Sequence, residues 1–366
     1  MPAIFFVTMP IRNAYEDIVS FESLRQAEHD VSLGKSDRTQ VLRYEWNLEE
    51  HLLDNHERLA RMDFPEAEYR SFMVYEPKPR RIIYTDYNSK IIERALYNYL
   101  NPRLSKGFIS DTYSCIKDRG QLAAMLRLYG WMQMLGRSGE RWYYQKLDVR
   151  KFFYRIDHEI LMNRILPKKI SDDRVNALIG HFICDTSVPF GLRVTDNPQT
   201  VRKEDMLYDV GIPVGGGLSH TIGNVVLDYA VDQFAKRELG LRYYIRYMDD
   251  IIYLGRDKQL MKDQKDRIEE RLADINLELN DRCCLRPISC SCEFVGNRIF
   301  TDHVILRKST TLRMKRNLAK KKKDYEAGLI TREKYAETIQ SYKALLSHVE
   351  SKSLEEKLWS IYKLDD

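Results

Sequence analysis

No run of apolar residues in this 366-residue chain is long enough to cross a membrane. The N-terminal stretch Ile4-Phe5-Phe6-Val7 is also too short for the core of a signal peptide. A membrane partner is therefore not expected, and the chain is expected in the cytoplasm. No internal repeat or low-complexity linker is evident. Cysteine is sparse, at 115, 184, 283, 284, 290 and 292. Four of the six cluster, but as Cys-Cys, five residues, Cys, one residue, Cys. Structural zinc sites instead show two separated Cys-x2-4-Cys knuckles, so reduced thiols are expected. Gly215 to Gly217 is not followed by Gly-Lys-Ser/Thr, which argues against a Walker phosphate loop. Neither sign of charge dominates: 59 Lys and Arg against 54 Asp and Glu leave only +5. So weak a balance does not prove a nucleic-acid partner, and the distribution of charge matters more.

What is present is a globular composition, 43% hydrophobic and 31% charged, long enough for two or three packed subdomains. Residues 14 to 62 read as helical, with Ile18, Phe21, Leu24 and Ala27, then Leu48, Leu52, Leu53 and Leu59, at helical spacing. A strand pair is expected over 71 to 85 around the turn Pro77-Lys78-Pro79-Arg80. Helices follow over 88 to 101 and about 120 to 136. An apolar-aromatic strand then runs from Trp142 to Val149. Helical residues near 157 to 166 and a helix-and-loop segment over 170 to 206 come next. Glycine-rich Gly211 to Gly217 precedes a helix to about Arg237. A hairpin is expected over 243 to 254, then a helix over about 259 to 275 and strands near 284 to 288 and 293 to 300. Val304 to Lys323 carries nine Lys or Arg and no acid, and opens a helical tail.

Two sets of carboxylates stand where strands end. Asp148 closes Tyr143-Tyr144-Gln145-Lys146-Leu147, and Asp249 and Asp250 occupy the turn of the hairpin. Acids at the ends of buried strands are costly unless a cation compensates. Two such strands side by side would gather two or three carboxylates, a cage suited to hard divalent cations. Two ions roughly 4 Å apart can activate a 3′-hydroxyl and stabilise a leaving pyrophosphate. An Asp-Asp pair in a turn is, on its own, usually only a turn.

The surrounding motifs change that balance. Tyr247-Met248-Asp249-Asp250 resembles the Tyr-x-Asp-Asp motif of reverse transcriptases. Asp148 to Asp157 resembles the first palm motif of that family, and Gly211-Ile212-Pro213-Val214-Gly215 with Ser219 and Asn224 resembles the motif between them. Glu293-Phe294-Val295-Gly296 resembles the primer-grip hairpin. They occur in the family's order.

The resemblance implies an α+β right-hand polymerase. Residues 1–140 would form an N-terminal segment and fingers. Residues 141–303 would be mainly palm, with a helical insertion about 159–206. Residues 304–366 would be a helical basic thumb. It implies two Mg2+ ions, with Mn2+ possible, on Asp148, Asp249, Asp250 and the Val149 carbonyl. It implies Phe153 as an aromatic gate against a 2′-hydroxyl, and Arg80, assisted by Lys78 and Arg81, on the triphosphate of a dNTP. A guanidinium fork suits phosphate and keeps its charge. Val214 and Gly215 would lie at the nucleotide. Ser219, Asn224, Phe294 and Gly296 would meet nucleic acid, and Arg307, Lys308, Arg313, Lys315 and Arg316 would clamp its phosphates. The partners implied are a template RNA with its primer or cDNA.

Finer features resemble the reverse transcriptases of bacterial and phage diversity-generating retroelements. These include Ile18 to Leu24, Phe108 to Cys115, Arg298-Ile299-Phe300 and the tail from Leu306 to His348. Val214 stands where most of the family has Gln, and the mutagenic enzymes carry an aliphatic residue there. This resemblance implies error-prone cDNA synthesis from a template-repeat RNA with a small basic pentameric accessory protein. Departures from that group's pattern are Ser219-His220, Gly216-Gly217-Leu218, and Asp281-Arg282-Cys283-Cys284 in place of a stretch with a lysine. They would also suit an antiphage-defence or otherwise domesticated reverse transcriptase, and a group II intron-like enzyme is a further alternative. A non-catalytic, maturase-like RNA-binding protein is the reading from another class.

Overall fold

The computed structural model describes residues 9–75, 80–185 and 187–363, with the Arg80 side chain also left aside. The apolar stretch Ile4 to Val7 and the turn residues Pro77, Lys78 and Pro79 therefore lie outside the described residues. The chain forms two compact units that interleave along the sequence. One gathers residues up to Gly120, Leu147–Ile251 and Lys262–Cys283; the other gathers Gln121–Lys146, Ile252–Met261 and the chain from Cys284 on.

The first unit opens with four helices, α1 (Tyr15–Val19), α2 (Phe21–Ser32), α3 (Thr39–Glu45) and α4 (Leu48–Ala60). Ser20 caps α2 by accepting from the Ser23 backbone N–H at 3.2 Å, which satisfies a donor that the first turn leaves without an intrahelical partner. Leu24 and Ala27 are buried as their spacing predicts. On α4, Leu52 and Leu59 are buried but Leu53 is 49% exposed. One residue along a helix is a rotation of about 100°. Leu53 therefore leaves the face shared by Leu52 and Leu59, where Asn55 is buried instead.

The hairpin of β1 (Tyr69–Val74) and β2 (Arg80–Thr85) pairs Tyr69 with Thr85 and Val74 with Arg80. The helix α5 (Tyr87–Leu104) follows at once, capped by Asp86. It buries Ile91, Ile92, Ala95, Leu96 and Leu100. A short strand, β3 (Thr112–Tyr113), precedes α6 (Gln121–Gly136) and β4 (Tyr143–Asp148). Two short turns, α7 (Phe152–Arg155) and α8 (His158–Ile160), lead to α9 (Asp173–Ile183). A long irregular segment then reaches α10 (Gly217–Leu227), which continues through a π-helical stretch, Asp228–Asp232, into α11 (Gln233–Arg237).

The hairpin expected around Asp249 is present as β5 (Tyr243–Tyr247) and β6 (Asp250–Gly255), followed by α12 (Lys258–Ala273) and β7 (Cys284–Pro287). A five-stranded sheet runs in the order β3-β5-β6-β4-β7. Strands β4 and β6 each pass from one unit into the other. The β4 and β7 strands are antiparallel, while the short edge strand β3 is parallel to β5.

In the second unit, the strand stretch expected over 293 to 300 is a hairpin, the form implied there by the primer-grip resemblance. Its arms are β8 (Cys292–Phe294) and β9 (Asn297–Ile299). Val295 and Gly296 turn between them with φ of +41° and +83°. Consecutive left-handed residues suit the right-handed twist of a tight hairpin. A third strand, β10 (Val304–Leu306), pairs with β9. The tail is three helices, α13 (Lys308–Glu326), α14 (Arg332–Leu346) and α15 (Lys352–Tyr362). Met314, Leu318, Tyr335, Ile339, Leu346 and Leu358 form their shared core. All six cysteines are free. Among the described residues no helix is long and apolar enough to cross a membrane.

Candidate active site

Strand β4 buries Tyr143, Tyr144, Gln145 and Leu147, and its last residue, Asp148, emerges half-buried. The backbone then turns, and the Val149 N–H donates to the Asp249 carbonyl at 3.3 Å. That bond lays the end of the first strand against the turn of the hairpin. Met248, the residue before Asp249, takes φ of +52°, a conformation that non-glycine residues adopt mainly in tight turns. Asp249 and Asp250 are half-buried, as Asp148 is. Asn280 supports Asp148 twice. Its backbone N–H donates to the Asp148 carbonyl at 2.7 Å, and its side-chain amide donates to Asp148 Oδ2 at 3.0 Å. Next to it, the Arg150 N–H donates to the Glu278 carbonyl at 2.8 Å, and the Arg150 side chain pairs with Asp281.

Among the described residues, no group of three or more His, Cys, Asp or Glu side chains is placed to hold a metal ion. The donors at this turn are carboxylate oxygens with solvent access and a neighbouring backbone carbonyl. Hard oxygen donors in an incomplete set suit a divalent cation that keeps several waters and accepts substrate phosphate oxygens.

The nucleotide-facing candidates are distributed more unevenly. The Arg81 guanidinium is engaged with the segment after α9, donating to Met206 Sδ at 3.0 Å and the Val201 carbonyl at 3.4 Å. Arg80 is paired in the hairpin with Val74, and Lys78 lies outside the described residues. Val214 sits in the turn before α10, half-buried. The glycines beside it have a reason within the protein. A Cβ on Gly215 would come within 3.0 Å of Ile82 Cγ2, and one on Gly217 within 3.0 Å of the Tyr97 ring. Both close approaches are made within the protein, to β2 and α5. Of the two phenylalanines, Phe152 is 2% exposed, while Phe153 is half-buried with its ring 5.3 Å from the His220 ring, edge to face.

Residues 76–297 match the family model described as reverse transcriptase (RNA-dependent DNA polymerase). This chain belongs to the reverse transcriptase family. Solved structures also match. One, titled "Structure of apo telomerase from Candida Tropicalis truncated from C-terminal domain", aligns at 14% identity with a TM-score of 0.44. The alignment covers 65% of this chain and 54% of that one, so the present chain spans about half its length. No curated protein matches.

Several residues expected at nucleic acid in this reverse transcriptase lie inside it instead. Asn224 is fully buried. Its amide donates to the Ser114 carbonyl at 3.0 Å and its oxygen accepts from Arg246 at 2.9 Å. Ser219 and Phe294 are each 1% exposed. Direct contact with a template is not available to side chains so enclosed, and their part here is to hold the fold. Gly296 forms the β8–β9 turn, where its carbonyl accepts from Thr310 at 2.9 Å. Arg307 precedes α13, and Lys308, Arg313, Lys315 and Arg316 are exposed on that helix.

Three residues escaped the sequence reading. Asn280 is one. Lys151 is another: with φ of +49°, it donates to the carbonyls of Arg193, Val194 and Asp196, fastening the loop that follows α9. The third is Asp232, partner of the buried Arg246. Only its place beside the buried Ala230 and Val231 could have signalled it.

Proposed function

We propose that this protein is an RNA-directed DNA polymerase that extends a primer 3′-hydroxyl with dNTPs, using Asp148 and Asp249 as principal metal ligands and Asp250 as an auxiliary one. The observation that carries the reading is the Val149–Asp249 backbone bond, which joins two acid-bearing turns that the sequence separates. Divalent ions bound there would supply Lewis-acid activation of the attacking hydroxyl and charge stabilisation at the leaving pyrophosphate. The chain's own work is to hold the carboxylates in place: Asn280 anchors Asp148, and the Met248 turn presents Asp249. Phe153 stands beside His220 as the aromatic gate of the nucleotide site, and Arg80 with Lys78 takes the triphosphate. The division into fingers, palm and thumb, and a cytoplasmic location, belong to the same reading.

The test is dNTP incorporation on a primed RNA template with Mg2+, comparing wild type with Asp249→Asn. Extension should fall at least about a thousandfold, with the fold intact by circular dichroism. A mutant as active as wild type would remove the two-metal assignment and leave the maturase-like reading.

Within this function we favour error-prone synthesis for a diversity-generating retroelement, working with a basic pentameric accessory protein. Val214 supports it, an aliphatic side chain in the turn beside Gly215 and β2. Without a polar group there, templating loosens, particularly opposite adenine. Sequencing the products of Val214→Gln should show fewer errors opposite adenine; an unchanged spectrum would favour the defence or intron-like alternatives.

A further inference from the structure

A fully enclosed charge lies just before the Asp249 turn. Arg246 is the largest fully buried side chain, three residues before Asp249 on β5. A guanidinium has five N–H donors and cannot shed its charge. Here it faces five acceptor oxygens. Nε donates to Asp232 Oδ1 at 2.8 Å and Oδ2 at 3.0 Å. Nη2 donates to Asp232 Oδ2 at 2.7 Å and the Asn224 carbonyl at 3.4 Å. Nη1 donates to Asn224 Oδ1 at 2.9 Å and the Met248 carbonyl at 3.0 Å. Asp232 is itself held by the Tyr244 hydroxyl at 2.6 Å and the Thr112 hydroxyl at 2.8 Å. It ends the π-helical stretch between α10 and α11, a helix irregularity often found at functional sites.

The acceptor that matters is the Met248 carbonyl. It belongs to the peptide plane that leads into Asp249, and a peptide plane is rigid. The plane leaving Asp249 is held too, because its carbonyl accepts from the Val149 N–H. With both flanking planes tethered, the direction of the Asp249 Cα–Cβ bond is fixed, and Met248 is kept in its left-handed conformation. Stability alone does not explain such a device, since a buried ion pair often contributes no more than apolar residues of equal volume. We infer that the Arg246–Asp232 pair, with Asn224, is a positioning element for the reaction, setting the Asp249 carboxylate in register for metal binding. This rests on Asp249 being the metal ligand proposed above.

Arg246→Lys tests it, because one ammonium cannot span the same acceptors. Three readouts are needed: Mn2+ affinity of the free protein by electron paramagnetic resonance, kcat and KM for dNTP, and amide exchange over residues 247–251. Mn2+ affinity and kcat should each fall at least roughly tenfold, the range seen when groups supporting metal ligands are lost. KM should change little, and exchange over the turn should accelerate. Thr112→Val removes one outer bond to Asp232 and leaves every guanidinium bond of Arg246, including that to the Met248 carbonyl, in place. It should lower the melting temperature and leave Mn2+ affinity unchanged. If Arg246→Lys does not fold, Asp232→Glu keeps both charges but shifts the guanidinium, and should weaken Mn2+ in the same direction. A folded Arg246→Lys that binds Mn2+ and turns over like wild type, while Asp249→Asn does neither, would overturn the positioning role alone. An Asp249→Asn protein that binds Mn2+ and extends primers normally would instead bring down the polymerase assignment beneath it.

Discussion

The region around Asp232 and the basic helix α13 use the same kinds of residue in opposite ways. In the first, Arg246 meets Asp232 and Lys169 meets Asp228, both at 2.7 Å. Three of these four side chains have no solvent exposure. In the second, Arg313, Lys315, Arg316, Lys320 and Lys323 stand exposed, over an inner face built on Met314 and Leu318. A buried charge is tolerated only with a matched partner, so its geometry becomes specific. Exposed charges of one sign constrain little individually; they act together and fade with salt.

The largest effect should come from breaking the buried kind. Asp232→Ala leaves the Arg246 charge without its counter-ion and should cost about 3–5 kcal/mol, read by urea denaturation. A loss under about 1 kcal/mol would mean the interior pair behaves like a surface one.

A smaller effect involves Glu93, a half-buried acid that accepts from the Thr85 hydroxyl at 2.8 Å. The Glu93 carboxyl is pushed up to about 7, chiefly by burial, against the opposing pull of the Thr85 hydroxyl and Lys90. The folded protein therefore holds this proton more tightly than the unfolded chain, whose ordinary value is near 4.5. The stabilisation is complete below about pH 4.5 and is lost as pH rises through about 7. It amounts to at most about 3 kcal/mol, less whatever nearby solvent relieves. Glu93→Gln should flatten the fall in melting temperature between pH 5 and pH 7.5. An unchanged slope would assign the fall to other groups.

Stability should respond least in the tail. Replacing Lys320 to Lys323 with Gln should shift it by less than about 0.5 kcal/mol, yet weaken binding to a primed template. It should also reduce the salt dependence of that binding, by a slope of about 0.9 for each phosphate no longer neutralised on a B-form duplex. An unchanged slope would mean these lysines only solvate the helix.

What could be read from the sequence follows the same line. The α5 periodicity, the strand ending in Asp148 and the hairpin around Asp249 are local patterns, and all three elements are present. The adjacency of the two acidic turns followed from strand ends with no other reason to be charged. Features set by distant partners were not legible. Asn224 appears in the sequence as a polar residue of a binding motif, but the Arg246 side chain draws it inside. The β8–β9 turn was implied by the primer-grip resemblance and not by local pattern, because Val295, a β-branched residue, takes the left-handed conformation that sequence patterns assign to Gly or Asn. Asn280 could not be tied to Asp148 because 132 residues separate them.

That separation also bears on how the protein is made. Domains begin to fold during synthesis, as the chain emerges at about 5–20 residues per second. Asp148 leaves the ribosome well before Asp249, and both precede Asn280. Pairings this far apart in the chain form slowly, because a long loop must close before they can contribute. A nascent chain stalled before residue 280 would carry its first acidic strand without the amide that anchors Asp148.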